Sequence, residues 1–422
     1  MSPTAERVRA GDHSTTTVDR LVAEHRPGYA LQREFQVDPG IYQLELDRIW
    51  RQSWLFAGHS CEARTPGDYF LFDIDTDSII IARAEDGRLH AMHNTCRHRG
   101  TKVCEAESGH VKRLVCPYHQ WSYGLDGALL ACGGMDREDG IDRHDLPLHP
   151  VAVEEVAGLV FVNLGKNPSG FDAAREEIQS RLAIQGLEHA KVVAVRNYQV
   201  KANWKLVWEN NRECWHCNVS HPEYVRANFD AARLDDPAVR QVIAERSDAI
   251  SERLRDHGIE IDFRDPGLTP FPTADRWWSI NRTPLVEGFV TESVDGQPVA
   301  PLMGGYRDRE VGTLRVRTMP NLWHHSSSDH SMSNRLAPAG PGVTRVQVQW
   351  LVDEAAVEGR DYDVERILPF WQRTSEQDWG LCERNHGGVM SSAFTPGPYS
   401  RKREYNVIAF TEWYLREIGR GR

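Results

Sequence analysis

The sequence predicts an α+β protein in which a small all-β domain precedes a larger α+β domain built on an antiparallel sheet. Its 422 residues are more than one hydrophobic core usually serves. Short strand patterns with hairpin turn signals fill residues 50–165, and longer helical patterns alternate with strands over residues 166–422. Residues 1–49 are predicted to form a lead and a helix that packs on the second domain.

Composition excludes several classes of protein. The formal net charge of −11 argues against a nucleic-acid-binding surface, which needs a basic stripe. No apolar run approaches the roughly 20 residues of a membrane helix, and the polar N-terminus lacks the core of a signal peptide. We therefore expect a cytoplasmic protein, with no membrane partner. In such a chain the 8 cysteines are not expected to form a disulfide frame, so those beside histidines are candidates for metal binding.

In the first half, residues 1–25 are predicted to be a flexible lead, and residues 41–50 have a roughly helical pattern. Strand patterns at 69–74 and 78–84 precede the turn signal Asp86-Gly87, and residues 115–130 repeat this arrangement around Asp126-Gly127.

In the second half, helices and strands alternate. The stretch 229–276, rich in charge and proline, is predicted to be loops and short helices that cover a site. The predicted helices are 171–185, 203–219 and 362–386, and the predicted strands are 191–200, 312–320 and 344–353.

The first metal motif consists of two Cys/His pairs. Cys96-x-His98 is followed, after 17 intervening residues, by Cys116-x-x-His119. Tetrahedral zinc is one alternative for such a set. In a zinc finger, however, one pair supplies both cysteines and the other both histidines. Here each pair supplies one of each, so both thiolates can bind one iron and both imidazoles the other, as in a Rieske cluster. Cys104 fits no ligand spacing and is predicted to be a packing residue.

The second metal motif lies in the helical pattern at 203–219 and just beyond it. Glu213 and His216 are three residues apart and are predicted to share a helix face. His221 would lie about 140° away from His216 on an ideal helix. Pro222 disfavours the helical conformation at His221, and the resulting break lets the two histidines converge. With a carboxylate they would form the 2-His-1-carboxylate site of non-haem Fe(II).

Two alternatives use the cysteines of this segment. Cys214-x-x-Cys217 overlaps the histidines, so a structural zinc site is an alternative to iron. A thioredoxin-like redox pair is a second alternative, although no βαβ pattern surrounds it.

Both motifs resemble those of a known family. The segments CRHRG and CPYHQWSYGLDG resemble the Rieske domain of aromatic-ring-hydroxylating and related oxygenases, and Glu-x-x-His-x4-His resembles the mononuclear iron motif of that family. The resemblance implies a [2Fe-2S] cluster, a catalytic Fe(II) and a helix-grip catalytic domain. It implies Asp378 as the third iron ligand, with Glu376 and Glu383 as rivals that spacing does not exclude. A non-enzymatic Rieske electron carrier is the contrasting class, and it would have no need for Glu213, His216 and His221.

The resemblance also implies partners. It makes Glu213 a bridge from His216 or His221 to a cluster histidine, His98 or His119, of a neighbouring subunit in a homotrimer. A separate flavin/iron–sulfur reductase would deliver electrons from NAD(P)H. Basic residues near the cluster motif could dock an acidic donor or be ordinary surface charge. They are Arg97, Arg99, Lys102, Lys112 and Arg113.

Among members of the family, the chain is most similar to the glycine betaine monooxygenase branch, in the stretches ANWKLVWENNREC, WLVDEAAVEGRDYDV, TPGPYS and FTEWY. This similarity implies oxidation of an N-methyl group of a betaine-like quaternary amine, with release of formaldehyde. Such a cation would need an aromatic cage. The candidates are Trp208, Trp215, Tyr224, Phe229, Trp277, Trp278 and Trp323.

Two departures from that branch keep an alternative open. Trp215 stands where the branch usually has Tyr, and polar residues appear within PNLWHHSSSDH, at His324 and at 326–328. They could suit a hydrogen-bonding substrate or lie on the surface. The alternative is N-oxygenation or C-hydroxylation of a small amine or nitrogen heterocycle.

Overall fold

The computed structural model describes residues 3–135, 140, 142–229, 233–255, 257 and 270–420. It confirms the α+β class, with all sheet pairings antiparallel within this part of the chain. No helix in these ranges is long and apolar enough to cross a bilayer.

The first half folds into two sheets. A seven-stranded sheet has the order β1-β10-β9-β4-β3-β2-β5, and a three-stranded sheet has the order β6-β7-β8. The strands are β1 (Leu55–His59), β2 (Asp68–Ile74), β3 (Asp77–Arg83), β4 (Leu89–His93), β5 (Ser108–His110), β6 (Leu114–Val115), β7 (Ser122–Tyr123), β8 (Leu129–Ala131), β9 (Pro150–Val156) and β10 (Leu159–Asn163).

Strand β3 is buried on both faces, which explains its run of isoleucines. Ile79 and Ile81 belong to the large core that extends into the second half of the chain. Ile80 points the other way, because side chains alternate along a strand, and packs in a smaller core with Cys96 and Cys116. The paired Cys/His loops are therefore anchored on the outer face of the larger sheet.

The second half is built on a six-stranded sheet with the order β11-β16-β15-β14-β13-β12, and helices pack against it. Its strands are β11 (Ala190–Val200), β12 (Trp278–Thr283), β13 (Thr313–Thr318), β14 (Leu322–Ser326), β15 (Ser331–Pro338) and β16 (Thr344–Asp353). The helices of the chain are α1 (Pro3–Glu24), α2 (Glu34–Val37), α3 (Pro39–Arg48), α4 (Asp172–Leu182), α5 (Trp204–Arg212), α6 (Cys217–Ser220), α7 (Pro222–Ala227), α8 (Pro237–Arg255), α9 (Val364–Val389) and α10 (Tyr405–Gly419).

The N-terminal prediction was wrong. Residues 1–25 were expected to be a flexible lead, but α1 occupies most of them and packs against α3 and α10. Val18 and Leu21 are three residues apart, so they lie on one helix face, and both are buried in the large core.

The prediction for 229–276 was also partly wrong. The 19-residue helix α8 lies there, with Ile243, Ile250 and Leu254 as its buried apolar stripe. Residues 230–232, 256 and 258–269 of that stretch are outside the described part of the chain.

Candidate metal centres and the cavity beside the second

The metal-binding segment after α5 is interrupted twice. Helix α5 ends at Arg212, and Glu213 is extended, so the predicted continuous helix over 203–219 is wrong. The Glu213 carboxylate instead accepts from the Trp215 N–H and contacts the His216 ring, and this local bonding competes with helix continuation. The second break occurs at His221, before Pro222 in the first turn of α7, as predicted.

The two breaks bring both histidines to one carboxylate on α9. Asp378 Oδ1 lies 3.2 Å from His216 Nε2 and 2.8 Å from His221 Nε2. The rival acids point elsewhere. Glu376 interacts with Tyr198 and Gln372, and Glu383 accepts from the Lys201 N–H at 3.0 Å. The structure thus brings together His216, His221 and Asp378, and leaves both glutamates away from the histidines.

The Nδ1 atoms of both histidines, which face away from Asp378, also have hydrogen-bond partners. His216 Nδ1 lies 2.5 Å from Glu213 Oε1, and His221 Nδ1 lies 2.7 Å from Gln377 Oε1. Partners of this kind fix the ring orientation of metal-binding histidines and direct the Nε2 atoms inward. The arrangement of three inward donors fits a metal that prefers nitrogen and carboxylate oxygen, with further positions open.

The charge distribution of the metal-free triad follows from these contacts. Burial lowers the pKa of His216, but hydrogen bonds to Asp378 and Glu213 outweigh it and raise the pKa to about 9. Burial raises the pKa of Asp378, yet its hydrogen bonds to the two histidines bring the pKa below its usual value. In the absence of metal, these contacts favour the protonated form of His216, and a metal ion would have to displace that proton.

The cysteines of this segment form a disulfide between Cys214 and Cys217. Geometry alone also groups Cys217 with His216 and His221, whose donor atoms all lie within 4.8 Å of one another. A disulfide sulfur is not a thiolate, and thiolate is the form that binds metal. Asp378, hydrogen-bonded to both histidines, is the better third donor, so the geometry favours the carboxylate site over a Cys/His zinc site.

The four donors of the first motif lie in two loops, one between β4 and β5 and one between β6 and β7. Cys96 and Cys116 are buried, and the rings of His98 and His119 are 4.6 Å apart. His98 Nδ1 is buried and makes no hydrogen bond, so this nitrogen is available for a metal. Two buried thiols beside two adjacent imidazoles suit a [2Fe-2S] cluster of the Rieske type.

Neighbouring side chains shape this site. Trp121 stacks on the His98 ring at 4.9 Å, and the Tyr123 hydroxyl lies 3.3 Å from Cys96 Sγ. Cys104 is buried in the same core, as predicted for a packing residue. His119 is exposed at the surface, so one edge of the site faces outward.

A cavity of about 1100 Å³ opens beside His216, His221 and Asp378. It lies between the six-stranded sheet and the segment that carries these residues. Aromatic and cationic side chains both contribute to its wall.

Comparisons with known proteins identify both halves of the chain. Residues 53–144 match the Rieske [2Fe-2S] domain family, and residues 187–420 match the ring hydroxylating alpha subunit (catalytic domain) family. The chain belongs to the Rieske non-haem iron oxygenases. It is therefore an oxygenase that carries a Rieske [2Fe-2S] cluster and a mononuclear iron.

Individual relatives of this oxygenase cover nearly its whole length. The glycine betaine monooxygenase oxygenase subunit of Chromohalobacter salexigens is 39% identical over 399 residues, 93% of this chain and 87% of that protein. The protein of the same name from Pseudomonas aeruginosa is 35% identical over 412 residues, 97% of this chain and 91% of that protein. A structure of the quaternary ammonium Rieske monooxygenase CntA with L-carnitine has a TM-score of 0.67 and 19% identity, covering 94% of this chain and 98% of that chain.

The cage candidates of the oxygenase fall into two groups. Trp215, Tyr224 and Phe229 line the cavity. The other four do not appear in its wall and pack against aromatic neighbours instead, as Trp208 does against Trp323. These four are Trp208, Trp277, Trp278 and Trp323.

The polar residues that depart from the betaine branch do not line the cavity either, and they are not on the surface. His324 is fully buried, and its two ring nitrogens contact the hydroxyls of Ser333 and Ser326 at 2.8 Å and 2.6 Å. Residues 326–328 are also buried. Their hydroxyls bond within the protein, so the structure supports neither of the two alternatives left open for them, contact with a hydrogen-bonding substrate or a position on the surface.

Sequence reasoning missed several residues of the cavity wall. They are Arg212, Arg315, Arg317, His325 and Trp371. The Arg-x-Arg alternation in β13 was a usable signal, since it places two guanidiniums on one face of a strand.

Proposed function

We propose that this oxygenase removes an N-methyl group from a betaine-like quaternary amine and releases it as formaldehyde. The observation that carries the proposal is the cavity beside His216, His221 and Asp378, with aromatic rings in its wall. A quaternary ammonium group is attracted to aromatic faces, and Trp215, Tyr224 and Trp371 are placed to supply them. The relatives named as glycine betaine monooxygenases support the same substrate class.

The reaction balances with one O₂, two electrons and two protons. The N-methyl carbon becomes a hydroxymethyl group, and the second oxygen atom leaves as water. The hydroxymethyl ammonium then breaks its C–N bond, which leaves a tertiary amine, formaldehyde and a proton. Iron held by His216, His221 and Asp378 would supply oxygen activation when bound. The cavity walls orient the methyl group and exclude bulk water.

Electrons are proposed to come from NAD(P)H through a separate flavin/iron–sulfur reductase and to enter at the cluster held by Cys96, His98, Cys116 and His119. Lys102, Lys112 and Arg113 are exposed and lie within a few residues of the cluster ligands in the sequence, so they are candidates for contacting an acidic donor.

We propose a homotrimer in which Glu213 links His216 to a cluster histidine of the next subunit. Exposed apolar residues support such an assembly at both places. Trp215 and Val219 are 53% and 85% exposed beside Glu213, and Val115 and Tyr118 are 44% and 54% exposed beside the cluster. Two different patches that contact each other form a head-to-tail interface, which closes into a ring.

A substrate screen tests the reaction. The holoenzyme and a surrogate reductase are incubated with glycine betaine, carnitine, choline and small secondary and tertiary amines. Formaldehyde is assayed together with the mass change of each substrate. The proposal expects formaldehyde in a one-to-one ratio with demethylated product. A gain of one oxygen on an amine without formaldehyde would favour N-oxygenation instead.

Mixed trimers test the assembly. Subunits with Cys96→Ser lack the cluster, and subunits with Asp378→Ala lack the catalytic iron, so each homotrimer is expected to be inactive. Co-expressed mixed trimers should regain part of the activity, because each intact iron receives electrons from a neighbour's cluster. Inactive mixed trimers with the expected metal content would argue that transfer stays within one subunit.

A further inference from the structure

Three guanidinium groups line the cavity and bond only to neutral oxygens in the described part of the chain. Arg212 donates to the Phe271 carbonyl at 3.0 Å. Arg315 donates to Asn228 Oδ1 at 2.6 Å, and Arg317 donates to Asn211 Oδ1 at 3.4 Å. Arg315 and Arg317 alternate along β13, so both point from the same face of the sheet.

Three other cations of the cavity have carboxylate partners. Arg276 pairs with Glu177 at 2.5 Å. Lys402 and Arg403 pair with Asp235 at 2.9 Å and 2.6 Å. These pairs use two of the acids in the cavity wall and leave the charges of Arg212, Arg315 and Arg317 uncompensated by direct contact.

Burial makes this surplus of positive charge costly. It lowers the pKa of Arg212 to about 9, with a further contribution from the charge of Arg317. The Nε atoms of Arg212 and Arg315 are buried and have no hydrogen-bond partner. Glu292 is ionised near Arg315 and offsets one charge, since its pKa is lowered to about 2 despite burial, chiefly by His325. Buried charges are costly unless paired, so a net positive wall favours an anionic ligand.

The guanidiniums share the cavity with His216 and His221. Arg317 bonds to Asn211, and the adjacent Asn210 Nδ2 lies 3.4 Å from His216 Nε2. Arg315 also donates to the Tyr224 hydroxyl at 3.3 Å, and Tyr224 follows His221 by three residues. An anion held by these arginines would therefore lie in the same cavity as the two histidines.

We infer that Arg315 and Arg317, assisted by Arg212, bind the carboxylate of the substrate. The enzyme would thereby select zwitterionic N-methylated amino acids over cations that have no carboxylate, such as choline. The inference rests on the proposed function for the identity of the other end of the substrate. Guanidinium groups suit this role because they donate paired hydrogen bonds to a carboxylate.

Two carbon isosteres separate the carboxylate from the ammonium. 3,3-Dimethylbutanoate copies glycine betaine without its cation, and 3,3-dimethylbutan-1-ol copies choline without its cation. Calorimetry on the holoenzyme, without reductase, measures the affinity for each. The acid is expected to bind at least about tenfold more tightly than the alcohol, as hydrogen bonds to charged groups predict. Equal affinities would overturn the inference.

Single variants locate the effect. Arg315→Gln and Arg317→Gln should each weaken binding of the acid by about tenfold and leave binding of the alcohol unchanged. The KM for glycine betaine should rise more than kcat falls. Arg196→Gln is the matched control, since it removes the same charge from an exposed position on β11 of the same sheet. Unchanged acid affinity in both folded cavity variants would contradict the carboxylate site.

The two proposals fail in different ways. Tight binding of the acid without formaldehyde from any N-methyl substrate would refute the demethylase reaction and retain the anion site. Formaldehyde from glycine betaine, with equal binding of acid and alcohol, would refute the anion site and retain the reaction.

Discussion

His221 Nε2 lies 2.8 Å from Asp378 Oδ1, although the two residues are 157 positions apart in the chain. The contact joins the short segment after α6 to the middle of α9. It completes a set of donors that neither segment has alone, and it makes the third ligand a testable assignment.

Replacement of Asp378 tests that assignment. Asp378→Ala is expected to lose the mononuclear iron and nearly all activity while the cluster remains, because two histidines alone hold Fe(II) weakly. The measured iron content should fall from three irons per chain in the wild type to two in the variant. Both proteins should contain two labile sulfides per chain. Glu376→Gln is the matched control from the same helix and should keep three irons. Loss of iron in that control instead would make Glu376 the ligand.

Glu213 is expected to matter for electron transfer more than for metal binding. Its carboxylate lies 2.5 Å from His216 Nδ1, on the outer side of the ring. Glu213→Gln should retain both metals and slow product formation by about 10- to 100-fold, the usual effect of losing such a partner. Single-turnover oxidation of the reduced cluster measures the step directly.

Glu223→Gln is the control for this variant. Glu223 lies in the same segment but interacts with Arg373 at 3.5 Å. The turnover of the Glu223→Gln variant should match that of the wild type. Wild-type rates of cluster oxidation and product formation in Glu213→Gln, with both metals present, would exclude the bridging role.

Iron uptake should depend on pH because a proton competes with the metal. Burial lowers the pKa of His216, but Asp378 and Glu213 raise it by a larger amount. The resulting pKa is about 9, compared with 6.5 for a free histidine. The raised pKa stabilises the metal-free fold fully below pH 6.5, and this contribution disappears as the pH rises through 9. Metal binding needs the neutral ring, so Fe(II) affinity should increase by about tenfold per pH unit between 7 and 8.5. Anaerobic competition with a chelator measures it, and a flat profile would contradict the prediction.

A buried ion pair ties the N-terminal helices to the second half of the chain. Lys205 Nζ lies 2.5 Å from Glu45 Oε1, and Trp204 and Tyr414 also donate to the Glu45 carboxylate, at 2.8 Å and 2.6 Å. Lys205→Met should reduce the free energy of unfolding by about 3–5 kcal/mol, because it leaves a buried carboxylate without its cation.

Chemical denaturation monitored by tryptophan fluorescence measures this loss, provided that the transition is two-state. The double variant Lys205→Met/Glu45→Gln should recover part of it, since no uncompensated charge remains. If Lys205→Met lowers the free energy of unfolding by less than about 1 kcal/mol, the ion pair does not stabilise the contact between the N-terminal helices and the second half of the chain.

Local spacing was enough to predict a Rieske-type cluster site. Cys96, His98, Cys116 and His119 lie in two short loops, and their order along the chain distinguishes a Rieske cluster from a zinc finger. Pro222 likewise predicts the break at His221, because its effect acts on the adjacent residue. The break at Glu213 was not predictable in this way, since it depends on contacts that its side chain makes after folding.

By itself, the sequence determined the family, both kinds of metal site and the α+β class. Only the tertiary structure shows that Asp378, rather than Glu376 or Glu383, lies beside His216 and His221, because three acids within eight residues of one helix point in different directions. It also decided the environment of Arg315 and Arg317. Alternation along a strand shows which side chains share a face of the sheet, but it does not show what covers that face. Here helices pack over the sheet, and the face that carries Arg315 and Arg317 forms part of the cavity wall.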